Sequence, residues 1–334
     1  MKALVLSGGG ALGAFEAGAI QTLRDSGTEF DVICGSSIGA INASFVAQDK
    51  VDQLTSLWRG ISALQPPVID YIEQVHAAIN LSDEIDKVAH GNPFGLEPLA
   101  LRWMQLGSKK ALLALRGFVL PNTIETILSS NLVFAALKRS LIVTATNLTY
   151  GSSETFYAFV GPNSGQMQSS FTKALGDGAH AIYNDEQFVL AVRASAAIPG
   201  AFEPVPMNLG SAGYKEFVDG GVANNIPIRL AADVGATEIT AVLLQPVQTS
   251  VPAYATNNLL EIGLASLTVM QQKLLEQDMD SVNNNPAVTI RYIRPLTPLP
   301  VTVLGFNDQG GIDEAFEAGI AAAKTPKPLD KKSS

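Results

Sequence analysis

Short runs of consecutive apolar residues alternate along this chain with longer segments whose apolar positions recur at helical spacing. Ala3 to Leu6, Phe30 to Cys34, Leu141 to Thr146, Thr155 to Val160, Phe217 to Asp219, Thr237 to Leu244 and Ala287 to Ile293 read as strands. Ala14 to Arg24, with Phe15, Ala19, Ile20 and Leu23 apolar, reads as a helix, and so does Ala40 to Val46. Pro227 to Asp233 follows as a helix behind a proline start, then Leu259 to Asp278 with Leu260, Leu264, Leu267, Met270 and Leu274 on one stripe. The strands are continuously apolar rather than alternating, which is the pattern of strands covered on both faces. Their interleaving with helices predicts an α/β fold around a mostly parallel central sheet.

Between about residues 60 and 135 this alternation fails, and a helical pattern punctuated by Pro66-Pro67, Pro93, Pro98, Gly107, Gly117 and Pro121 takes over. The segment is expected to be a helical cap inserted into one domain spanning 1–323. Residues 324–334 carry too few apolar groups to pack and are expected to be a disordered tail.

Composition narrows the partners. Hydrophobic residues make up 47% and charged residues 16% of 334, richer in apolar side chains than a highly solvated protein; burial on both faces of a sheet or contact with lipid would explain it. A net charge of −9 argues against nucleic acid, whose sequence-independent affinity rests on Lys and Arg. The single cysteine, Cys34, forms no internal disulfide, and no Cys/His spacing resembles a zinc site, so neither a metal nor another cofactor is expected. Met1 to Ser7 enters a strand without the features of a secretory signal, and no apolar run reaches the roughly 18 to 20 residues of a membrane span. The expectation is a cytoplasmic protein whose membrane contact, if any, is peripheral. One segment suits that contact: about residues 99–120 place Arg102, Lys109, Lys110 and Arg116 among leucines and Trp103, with no acidic residue between Glu97 and Glu125. Ordinary cap helices with solvated basic ends would read the same way.

The candidate chemistry lies in three short motifs. Gly8-Gly9-Gly10-Ala11-Leu12-Gly13 follows the first strand and opens the first helix. It satisfies the dinucleotide-binding pattern, but Asp31 starts the second strand instead of ending it, so the ribose-binding acid is missing. The same loop could instead aim the backbone N–H groups of Gly8, Gly9, Gly10 and Ala11 at a developing oxyanion. The second strand ends in Gly35-Ser36-Ser37-Ile38-Gly39, a G-x-S-x-G elbow that would expose the Ser37 hydroxyl as a nucleophile; close helix packing is the bland alternative. Histidine would be the usual base, yet His76, His90 and His180 all lie in segments without a triad signature. The best carboxylate is Asp219, which ends a strand and precedes Gly220-Gly221.

Taken together and in this order, these motifs resemble the glycine-rich oxyanion loop, nucleophile elbow and D-G-[GA] element of patatin-like phospholipases. Ala194 to Val205 and Thr144 to Gly151 are similar to further blocks of that family, and the likeness spans about residues 2–245. It implies a three-layer α/β/α fold and a serine–aspartate dyad, with Ser37 as nucleophile and Asp219 as base. It further implies hydrolysis of lipid acyl esters through an acyl-enzyme, of phospholipase A or lysophospholipase type, without a metal. The chain departs from the family at Leu12, where Arg or Lys is common, so the loop's surroundings are less positive. A general carboxylesterase or thioesterase would use the same machinery, and a non-catalytic lipid or nucleotide binder would use the same scaffold.

Overall fold

The computed structural model describes residues 1–64, 122–210, 213–246 and 285–328, and within 266–282 positions 266, 269–271, 273, 275, 279 and 282. The basic segment 99–120 and most of the expected cap lie outside them. Asn122–Asn131 at the cap's C-terminal end is helical.

The described strands are β1 (Lys2–Leu6), β2 (Val32–Ser36), β3 (Ser140–Asn147), β4 (Ser152–Ala158), β5 (Ala179–Ala181), β6 (Val205–Asn208), β7 (Tyr214–Val218), β8 (Glu238–Val242), β9 (Thr289–Ile293) and β10 (Lys327–Pro328). The helices are α1 (Gly13–Asp25), α2 (Ile38–Ala47), α3 (Val51–Arg59), α4 (Asn122–Asn131), α5 (Ser164–Leu175), α6 (Asp185–Ser195), α7 (Ile228–Asp233) and α8 (Gln309–Ala323). One sheet runs β10-β9-β8-β1-β2-β3-β4-β5, with β7 pairing β3 and β6 pairing β7. From β9 to β3 every pair is parallel, as is β4 with β5; β4 and β7 join β3 antiparallel, β6 joins β7 and β10 joins β9 the same way, so the sheet is mixed and mostly parallel.

Strand periodicity builds the layers. Leu4, Leu6 and Ile33 face one side, where they join a core formed by α1, α2, α3, α6 and α8. Ala3, Val5, Val32 and Cys34 face the other, against α7 and Phe171 of α5. Both faces of β1 and β2 are therefore buried, which accounts for their unbroken apolar sequences. Helix α1 meets α8 at bare backbone: a Cβ on Gly18 would stand 2.0 Å from the Phe316 carbonyl oxygen, and one on Gly319 2.0 Å from that of Phe15.

Two expectations need correcting. Lys327 and Pro328, placed by sequence in a disordered tail, pair antiparallel with Tyr292 and Arg291. Met270, expected on the apolar stripe of the helix after residue 259, is exposed, whereas Leu275, outside that stripe, is buried; Leu260, Leu264, Leu267 and Leu274 lie outside the described residues.

Candidate active site

Ser37 sits at the C-terminal end of β2, where the chain turns into α2 with φ 54° and ψ −127°. A positive φ at a non-glycine residue is strained and needs support from its surroundings. The flanking glycines permit the turn: a Cβ on Gly35 would lie 2.3 Å from the Gly39 carbonyl oxygen, and one on Gly39 2.5 Å from that of Leu6. The Ser37 amide donates to Ser195 Oγ at 2.9 Å, and Ser195, at the end of α6, is fully buried. The N-terminus of α2 begins at the next residue, so the elbow lies at the positive end of a helix.

Asp219 leaves β7 just after Val218, which pairs with Thr146 of β3. Its own backbone is held by its amide donating to the Ala197 carbonyl (2.8 Å) and by Thr146 Oγ1 donating to its carbonyl (2.8 Å). The carboxylate accepts from the Gly221 amide at 2.7 Å on Oδ1 and from Ser37 Oγ at 2.5 Å on Oδ2. Both side chains are 4% exposed. Burial pushes the Asp219 carboxyl up to about 7, although the hydrogen bonds from Ser37 and Gly221 pull the other way.

The glycine loop packs directly over the serine, since a Cβ on Gly8 would lie 2.8 Å from Ser37 Cβ. Gly10 adopts φ +58°, with the Val303 carbonyl oxygen 2.0 Å from where a Cβ would stand. Of the four amides expected to face a reacting carbonyl, two are engaged elsewhere: Gly8 donates to the Asn225 carbonyl (3.2 Å) and Ala11 to that of Val303 (2.8 Å). The Gly9 and Gly10 amides make no hydrogen bond among the described residues. The loop is tied by backbone partners that local sequence did not disclose.

Ser37, Asp219 and Gly8 to Gly10 line one cavity of about 250 Å³, walled by Leu12, Ile198, Leu243, Leu244, Leu275 and Val303, with Asn225 and Arg294 adding polar groups. Sequence reasoning missed Ser195, Asn225 and Arg294. His180 pairs with Glu154 at 2.7 Å instead of with Ser37; His76 and His90 lie outside the described residues. Among the described residues no cluster of His, Cys, Asp and Glu could hold a metal, and no helix is long and apolar enough to cross a membrane.

A serine elbow at the carboxyl end of a mostly parallel sheet, backed by a buried carboxylate, places the chain among α/β proteins with hydrolase-like sites. Residues 4–232 match the model of the patatin-like phospholipase family, and the chain belongs to that family. It is 28% identical over 304 residues to the uncharacterised protein YqhO of Bacillus subtilis (strain 168), covering 89% of this chain and 86% of that protein. It is 35% identical over 80 residues to lysophospholipase nte1 of Aspergillus terreus, a stretch that is 20% of this chain and only 5% of that much longer protein. Among solved structures, VipD from Legionella pneumophila aligns with TM-score 0.38 and 16% identity over 98% of this chain and 68% of that one.

Proposed function

We propose that this protein is a serine hydrolase of lipid acyl esters, of phospholipase A or lysophospholipase type, working through Ser37 and Asp219. The observation that carries the reading is the 2.5 Å contact between Ser37 Oγ and Asp219 Oδ2 beside a largely apolar cavity. Family membership supports the substrate class.

In this reading Ser37 Oγ attacks the ester carbonyl carbon while the Asp219 carboxylate takes the hydroxyl proton. The carbonyl π electrons move to oxygen, where the amides of Gly9 and Gly10 and the positive end of α2 stabilise the oxyanion. Collapse of the tetrahedral intermediate expels the alcohol, which leaves with the proton held by Asp219. Water then attacks the acyl-enzyme, Asp219 takes its proton and returns it to Ser37 as the fatty acid departs. A carboxyl near pH 7 suits both roles better than one near 4, because it is ionised when attack begins and acidic enough to protonate the leaving oxygen.

Hydrolysis of smaller esters or thioesters is the second reading, favoured by a cavity of about 250 Å³ and by Leu12 in the loop. A fluorophosphonate probe followed by an acyl-chain panel tests both. Wild type should be labelled at Ser37, and hydrolysis should increase with acyl length; preference for short chains would favour the second reading. A Ser37→Ala protein with undiminished ester hydrolysis would overturn the dyad.

A further inference from the structure

Arg294 stands immediately beyond β9, at the carboxyl end of the sheet. The registers Val242↔Ile293, Leu6↔Val242 and Leu6↔Gly35 bring the ends of β9, β8, β1 and β2 to one edge. Ligands of α/β sheets bind at that edge. Arg294 is half-buried, its Nε donates to the Gln245 carbonyl at 3.1 Å, and its guanidinium lies 5.5 Å from the Tyr292 ring. Among the described residues its terminal nitrogens make no hydrogen bond and no carboxylate pairs with it, whereas Arg24, Arg59, Arg139 and Arg193 each hold one. Burial lowers its affinity for its proton, as expected of a cation removed from water. It is also the single cation among the described residues lining the Ser37 cavity.

We propose that Arg294 determines specificity by binding the phosphate of the alcohol that leaves when Ser37 is acylated. A guanidinium fixed through Nε keeps its other donors for bidentate contact with phosphate oxygens, for which its planar fork is suited. The span fits: β9 and β2 are three strand spacings apart, about 14 Å. An extended arginine side chain together with the glycerol unit between ester and phosphate bridges that distance. An acyl ester carrying phosphate would therefore be gripped at both ends of the cavity, and a neutral ester at one. The inference rests on the reading of Ser37 as the nucleophile.

The test compares lysophosphatidylcholine with a monoacylglycerol of the same acyl chain, both below their aggregation limits. Arg294→Gln should lower the ratio of kcat/KM for the phosphate ester to that for the neutral ester by roughly tenfold to a hundredfold, mostly through KM. Arg294→Lys, which keeps the charge but loses the fork, should recover part of it. An equal loss on both substrates would assign Arg294 to holding Gln245 and overturn the proposal, as would an unchanged ratio. The same lipids are also titrated into Ser37→Ala and Ser37→Ala/Arg294→Gln proteins. Selective loss of lysophosphatidylcholine binding supports recognition of the phosphate by Arg294 even if the wild type hydrolyses neither ester; the missing hydrolysis would then count against Ser37 as nucleophile and not against the phosphate contact. Loss of oleate binding without loss of lysophosphatidylcholine binding would make Arg294 a carboxylate site and overturn it.

Discussion

The amide of Ser37 is satisfied by a hydroxyl at the end of α6, Ser195 Oγ at 2.9 Å, 158 residues further along the chain. This bond helps to hold a residue at the strained φ of 54°. Ser195→Ala leaves a buried N–H without a partner, at a cost of about 1–3 kcal/mol. The expected result is a melting temperature lower by several degrees and a fall in kcat larger than any change in KM. Equal melting curves and equal kcat would show that the elbow keeps its shape without Ser195.

The Asp219 carboxyl predicts the pH profile. The base form is the carboxylate, and burial raises the pKa to about 7, so kcat/KM should climb as pH rises through about 7 and level off above it. A midpoint near 4 would mean that Asp219 is solvated in the working enzyme. Asp219→Asn accepts no proton from Ser37, and the loss in kcat should be roughly 10² to 10⁴ at pH 8.

Legibility in the sequence followed locality. Gly35 and Gly39 announce the elbow because neighbouring backbone fills the space of a Cβ, and the requirement is written in consecutive residues. The central parallel strands were legible because burial on both faces leaves unbroken apolar runs, as in β1 and β2. The β6 strand was not: its alternation is four residues long and contains Pro206, so its period-two signal is weak. Asn225 and Arg294 reach the cavity, and Ser195 the Ser37 amide, through sheet register and helix packing, and nothing beside them in sequence marks those destinations. Four amides of the glycine loop were expected to be open, but the carbonyls that engage those of Gly8 and Ala11 come from Asn225 and Val303, far away in sequence.

Gly39 sits on α2 against the end of β1, where a Cβ would meet the carbonyl oxygens of Leu6 at 2.5 Å and Ser7 at 2.7 Å. Both obstacles are backbone, so Gly39→Ala must push the helix from the strand and shift Ser37 relative to the glycine loop. Overpacking of this kind costs about 1–3 kcal/mol. Thermal denaturation should show that loss, and fluorophosphonate labelling of Ser37 should slow in protein that remains folded. Labelling at the wild-type rate would show that the loop follows the elbow.

Glu16 is fully buried in α1, where Ser7 Oγ donates to it at 3.4 Å and Asn42 Nδ2 at 2.9 Å, and Asn42 in turn accepts from Trp58 Nε1 at 3.0 Å. Burial outweighs those hydrogen bonds and raises its pKa from 4.5 to about 8. A carboxyl raised on folding binds its proton more tightly in the native state. The stability it contributes is therefore complete below about 4.5 and is lost as pH rises through about 8. Glu16→Gln removes that titration, and its amide can still accept from Asn42 while donating to Ser7. Asp219 titrates in an overlapping range, so variant and parent are compared at each pH, where its effect cancels. The melting temperature of the variant should gain on the parent by several degrees between pH 6 and pH 9. A difference that stays constant over that range would mean that Glu16 does not titrate there.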